Sequence, residues 1–191
     1  MPLALGACGE ERQDANEPKG RYKVEIVEAD FPGRQKLAKD SDLRIVVKNA
    51  DTKTIPNVAV TVRGFDRRSS EPGLADRERP VFVVNGVPAS LGGFADTKPA
   101  APRGGETAFT DTWALGKLRA GKIRTFRWKV TAVRGGPYRL AYTVSAGLDG
   151  KAKAVTAGGQ PASGVFVGTI DDTAPNTKVA DDGQTIVGGS P

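Results

Sequence analysis

The chain has 191 residues, a net charge of +6 and no histidine. Without histidine it cannot assemble a Ser-His-Asp triad, a Cys–His pair or a His-ligated zinc or copper site. Its 24 glycines and 13 prolines, with many Val and Thr, point to strands and turns rather than helices.

The first informative element is Leu5-Gly6-Ala7-Cys8, which reads as a bacterial lipobox: a leucine, two small residues and a cysteine. The small residues suit a narrow peptidase cleft, and the thiol would accept a diacylglyceryl group. An export signal needs a charged start and an apolar stretch of roughly 7–15 residues. Met1 to Ala7 supply neither, so the true translation start is expected upstream of Met1. Residues 1–8 are then the remnant of a signal peptide, and Cys8 the lipid-attachment site. Residues 9–20 (GEERQDANEPKG) are polar and punctuated by Pro and Gly, as a flexible tether should be. Fully extended, such a tether reaches roughly 40 Å at about 3.3 Å per residue. No segment has the ~20 consecutive apolar residues of a spanning helix, so membrane attachment would depend on Cys8.

Strands follow by period-two alternation. Tyr22, Val24 and Ile26 share one face of a strand over 21–28; Leu43, Ile45 and Val47 do so in a second, and Val58, Val60 and Val62 in a third. Between Gly64 and Ala108 the alternation fails. That stretch reads as a long insertion holding one short strand, Val81–Val84, and loops of this length are functional or disordered. Phe126, Trp128, Val130 and Ala132 then face inward, as do Tyr138, Leu140, Tyr142, Val144 and Ala146. Gly135-Gly136-Pro137 between them predicts an antiparallel hairpin. Ala152–Val155 and Val165–Ile170 are the last core strands, and 171–191 reads as a polar, loosely held tail in which Thr185-Ile186-Val187 adds a short edge strand. No helix or internal repeat is evident. Strands with one buried face predict an all-β sandwich of antiparallel sheets.

Four fragments carry a family resemblance: Val47-Lys48-Asn49, Pro56-Asn57-Val58-Ala59-Val60, Leu118-Arg119-Ala120-Gly121 and Thr125-Phe126-Arg127-Trp128-Lys129-Val130. In this V-x-N, P-x-V-x-V, L-x-x-G and T-F-x-W-x-V succession the chain resembles the immunoglobulin-like domains of the bacterial cell-adhesion-related (CARDB-like) group. The resemblance spans 21–170 and implies an immunoglobulin-like β-sandwich; the 64–108 insertion departs from the group's pattern. Such modules serve as spacers, adhesion modules and accessory domains, and the pattern brings no catalytic residues.

From Thr112 to Leu148 there are eight basic residues and no acidic one: Lys117, Arg119, Lys122, Arg124, Arg127, Lys129, Arg134 and Arg139. On the expected hairpin, Arg127, Lys129 and Arg139 converge on one outer sheet surface, which would suit an anionic cell-envelope polymer or an acidic protein; a solvated face that keeps sheet edges apart is the alternative. Trp113, with Phe94 and Phe109, is a candidate rim for sugar stacking, whereas Phe126 and Trp128 read as core. Asp171-Asp172 and Asp181-Asp182 invite a calcium reading, but neither cluster supplies enough oxygens alone, and no metal or other cofactor is expected. Ser69, Ser70, Ser90 and Lys98 show no activating base, and the glycines at 92, 93, 104 and 105 lack a strand–Gly–helix context. Basic residues interleaved with aromatics, as in nucleic-acid modules, are missing, so no nucleic-acid partner is expected.

The sequence therefore predicts a non-enzymatic, extracytoplasmic lipoprotein, held on the membrane by Cys8, whose immunoglobulin-like domain binds, adheres or spaces. An accessory carbohydrate- or cell-wall-binding module is the alternative; a Ser–Lys or carboxylate hydrolase is a remote one.

Overall fold

The computed structural model describes residues 16–67, 79–88, 94–96, 111–173, 177–179 and 186–188. In chain order the strands are β1 Gly20–Asp30, β2 Arg34–Lys36, β3 Asp40–Asn49, β4 Ala59–Arg63, β5 Phe82–Pro88, β6 Phe94–Asp96 and β7 Thr112–Ala114. They continue as β8 Ile123–Ala132, β9 Gly136–Ser145, β10 Ala152–Val155, β11 Ser163–Asp171, β12 Thr177–Val179 and β13 Ile186–Gly188. There is no helix among the described residues.

Two sheets stack face to face. One has the order β10-β1-β3-β8-β5-β6 and the other β2-β11-β9-β4-β7. The runs β1-β3-β8-β5 and β11-β9-β4 follow the A-B-E-D and G-F-C orders of an immunoglobulin constant domain, so the sandwich is immunoglobulin-like. Both sheets are mixed, because β10 runs parallel to β1 and β2 parallel to β11. The inward residues expected from alternation are buried, including Leu43, Ile45, Val47, Val58, Val60, Val62, Phe126, Trp128, Leu140 and Val144. Phe126 and Trp128 stack inside the core with their centroids 6.1 Å apart. At the end where β1 crosses into β2, Phe31 meets Phe82, Tyr138 and Phe166 edge-on.

Three expectations need correction. β8 and β9 do not form a hairpin: β8 pairs with β3 and β5, while β9 pairs with β4 and β11 in the opposite sheet. Residues 133–135 cross the sandwich instead, and the two glycines serve that crossing. Gly136 has φ +102°, and a Cβ on Gly135 would stand 2.3 Å from the Asp172 Cβ. The segment expected to hold one strand holds two, β5 and β6, and β5 pairs with β8 in its sheet with a register shift between Val84 and Gly86. Ile186 and Val187 pair with β12 in a separate two-stranded ribbon rather than on a core edge.

Candidate functional site: a basic groove at one end of the sandwich

The corrected topology separates the basic residues that the hairpin would have gathered. Arg127 and Lys129 lie on the outer face of the β8 sheet, and Arg139 on the outer face of the other, so the three do not converge. Nor are the first two free. In the β3–β8 register Arg44 stands opposite Arg127, and Asp42 opposite Lys129. Across this ladder Arg127 forms an ion pair with Asp42, and Lys129 one with Asp40 at 3.2 Å. Arg44 pairs with Glu28 at 3.0 Å and Lys48 with Glu25 at 3.2 Å. The sheet face is thus neutralised row by row. Thr131 and Lys129 hold the Asp40 carboxyl below the usual carboxylate range.

Of the expected aromatic rim, only the Trp113 side chain is described. Trp113 packs edge-on against Trp128, with ring centroids 5.3 Å apart, and is half-buried on the core. The side chain of Phe94 and the whole of Phe109 lie outside the described residues, as do Leu5–Cys8, Ser69, Ser70, Ser90, Lys98, the glycines at 92, 93, 104 and 105, and Asp181-Asp182. Asp171 is described: it accepts a hydrogen bond from the Thr173 backbone N–H at 2.9 Å, and contacts with Thr173 lower its pKa. No group of three or more His, Cys, Asp or Glu able to hold a metal occurs among the described residues.

The other half of the basic run behaves differently. Lys117, Arg119, Lys122 and Arg124, with Thr54, Pro56 and Leu118, line a groove of about 810 Å³ at the end of the sandwich where β3 finishes and β8 begins. No ion pair joins any of the four to an acidic group among the described residues. Arg124 shares the inward parity of Phe126 and Trp128, so it enters the groove from the mouth between the sheets. Its Nε is buried without a hydrogen-bond partner, and Nη1 reaches only the Ile123 carbonyl, at 3.4 Å.

Asn49 fixes the loops that carry these cations. This residue ends β3 fully buried, and its Nδ2 donates to the Lys53 carbonyl at 2.8 Å and the Leu118 carbonyl at 2.7 Å. Its Oδ1 accepts from the Asp51 N–H at 2.9 Å. Its backbone N–H donates to Lys122 O, and its carbonyl accepts from Gly121 N–H, both at 2.9 Å. One amide therefore clamps the β3–β4 loop to the 118–122 turn. In the same loop the backbone N–H groups of Lys23 and Lys53 hold the Asp51 carboxyl below its usual range.

A second groove adjoins the first, sharing Pro56 and Lys117 and adding Asn16, Glu17, Pro18 and Leu148. Here the start of the described chain is fastened down. Glu17 accepts hydrogen bonds from the backbone N–H of Leu148 and Asp149 on one oxygen, at 2.6 and 2.7 Å, and of Ala152 on the other, at 2.6 Å. The tether expected over 9–20 is described only from Asn16 onward, and in that part it is bound to the sandwich.

No family model matches the chain, and no curated protein matches it. Solved structures do. The chain is similar to the CARDB domain of a Pyrococcus furiosus protein at 13% identity and a TM-score of 0.44, covering 78% of this chain and 93% of that one. It is similar to a PapD-like domain of human CEP192 at 10% identity and a TM-score of 0.41, over 91% and 99% of the two chains. A β-glucosidase from Listeria innocua matches at 11% identity and a TM-score of 0.37, over 78% of this chain and 16% of the enzyme. A CARDB domain thus stands among the solved structures similar to this one, as the sequence resemblance implied. None of these likenesses carries an argument about activity; the fold assignment stands on the strand order above.

Proposed function

We propose that the chain is an exported lipoprotein without enzymatic activity, anchored at Cys8, whose immunoglobulin-like sandwich works by binding an anionic partner. The lipobox Leu5-Gly6-Ala7-Cys8 is the observation that carries the anchoring. Binding rests on four cations lining one groove with no acidic partner among the described residues, whereas the ladder further along the same sheet is neutralised. Unpaired cations at a concave site focus positive potential and speed the capture of anions. The carbohydrate-module reading has less support, because Trp113 is half-buried and packed edge-on against Trp128.

Fractionation of cells expressing the gene from its native locus, wild type beside Cys8→Ser, tests the anchoring. Wild type is expected in the membrane fraction and the variant released or unprocessed. Equal distribution of both forms in the cytoplasm would overturn the proposal.

A further inference from the structure

The basic groove and the entry of the chain share one end of the molecule. Lys117 and Pro56 line both the cationic groove and the groove that holds Asn16, Glu17 and Pro18. Glu17, gripped by three backbone N–H groups, fixes where the preceding residues leave the sandwich. Only seven residues separate Cys8 from Asn16, a span of at most about 29 Å when fully extended. An anchor at Cys8 would therefore keep this end, and not the Phe31 end, next to the bilayer.

The chemistry of that end suits such a neighbour. Arg119, Lys122 and Arg124 stand on rigid supports: the 118–122 turn, closed by Lys122 N–H to Arg119 O at 3.1 Å and clamped by Asn49, and the first residues of β8. They lack internal counter-charges among the described residues, and the Arg124 Nε is buried and unsatisfied. Exposed Ile123, on the same stretch of β8, adds an apolar contact at the edge. Basic clusters beside a lipid anchor are drawn to anionic headgroups, and the attraction fades within a Debye length.

We propose that Lys117, Arg119, Lys122 and Arg124 form a membrane-facing surface that rests on anionic lipid headgroups and orients the sandwich with this end against the bilayer. The proposal deepens the binding function above and rests on the anchored reading for its setting. The surface itself is separable from the anchor, since its charge acts whether or not Cys8 carries lipid.

The test uses the full 191-residue chain carrying Cys8→Ser, co-sedimented with vesicles of phosphatidylcholine alone or mixed with phosphatidylglycerol. Binding is expected to the mixed vesicles only, and to weaken as salt rises. Arg119→Gln with Lys122→Gln should lower the partition coefficient about thirtyfold, from about fivefold per charge, with an unchanged circular-dichroism spectrum and unfolding midpoint. Arg127→Gln with Lys129→Gln, which removes the same charge from the outer sheet face away from the groove, should leave binding within about twofold because screening confines each charge's pull to about a Debye length. Equal binding to neutral vesicles, or equal losses in the two double variants, would overturn the proposal. Loss of binding to inorganic phosphate at constant ionic strength would also overturn it, by assigning the groove to a free anion. Because the probe is unlipidated, failure here leaves the Cys8 fractionation untouched, and failure of the fractionation leaves this result standing.

Discussion

Asn49→Ala removes the amide that ties the β3–β4 loop to the turn bearing Arg119 and Lys122. Three side-chain hydrogen bonds disappear with it: two donated, to Lys53 O and Leu118 O, and one accepted, from Asp51 N–H. Leu118 O keeps a bond from Ile55 N–H at 2.9 Å, so only part of its pairing is lost. Lys53 O and Asp51 N–H lose these partners in part-buried positions that water can reach in part. At about 1 kcal/mol for each bond lost under such conditions, the variant should be destabilised by about 3 kcal/mol. For a body of this size that corresponds to a fall of about 6–12 °C in melting temperature. Asn49→Asp is the sharper variant, because its second carboxylate oxygen would face the Lys53 and Leu118 carbonyls with no proton to offer at neutral pH. It should lose at least as much as Asn49→Ala. Urea unfolding followed by tryptophan fluorescence, checked for coincidence with circular dichroism, measures both. A loss below about 1 kcal/mol for Asn49→Ala, or wild-type stability for Asn49→Asp at neutral pH, would refute the clamp.

Glu17→Ala should destabilise by about 2 kcal/mol, since bonds to a charged acceptor are worth more than neutral ones. Glu17→Gln should fall between, keeping an acceptor on one side; limited proteolysis ahead of Gly20 would register the released segment. Asp111 carries φ +64° and a pKa raised first by burial and then by Asp66, against a lowering by Arg63. Its folded form holds the proton more tightly than the unfolded chain does, so its stability contribution is lost as pH rises through the folded pKa. Asp111→Asn, which tolerates the same backbone, should therefore raise the unfolding midpoint at neutral pH by a margin that vanishes in acid. Asp40, Asp51 and Asp171 have the opposite sign, with pKa values lowered by hydrogen bonds. Their contribution is present above about pH 4 and lost as pH falls through the lower folded values, which an acid titration of the folded signal will follow. Asp42→Asn, breaking the exposed pair with Arg127, should cost no more than about 1 kcal/mol; a loss of several would show that the ladder is structural.

What could be read from the sequence was local. Period-two burial placed Tyr22 and Val24 in β1, Leu43, Ile45 and Val47 in β3 and Phe126, Trp128, Val130 and Ala132 in β8 on the correct faces, because parity is set by each strand's own residues. Partner choice is not local. Gly135-Gly136 signals a reversal equally well for a hairpin and for a crossing between sheets, and only the neighbourhood of Asp172 distinguishes them. The site was misplaced for the same reason. Arg127 is neutralised by Asp42, 85 residues away, through a register that neither segment states alone. Once β3 is set against β8, Arg124 falls opposite Val47 and Ile123 opposite Lys48, so β3 places no acid opposite that end of the run. The available signal was the spacing of Asp40 and Asp42 ahead of Leu43: the ladder's acids lie at the start of β3, which leaves the basic start of β8 without them.

The mass of the N-terminal peptide from protein made at its native locus tests lipid anchoring without an intermediate step. Lipid anchoring predicts a peptide that begins at Cys8 and carries the added mass of a diacylglyceryl group. An unmodified peptide running through Cys8 would contradict it, and would leave the immunoglobulin-like sandwich and its basic groove without the membrane setting proposed here.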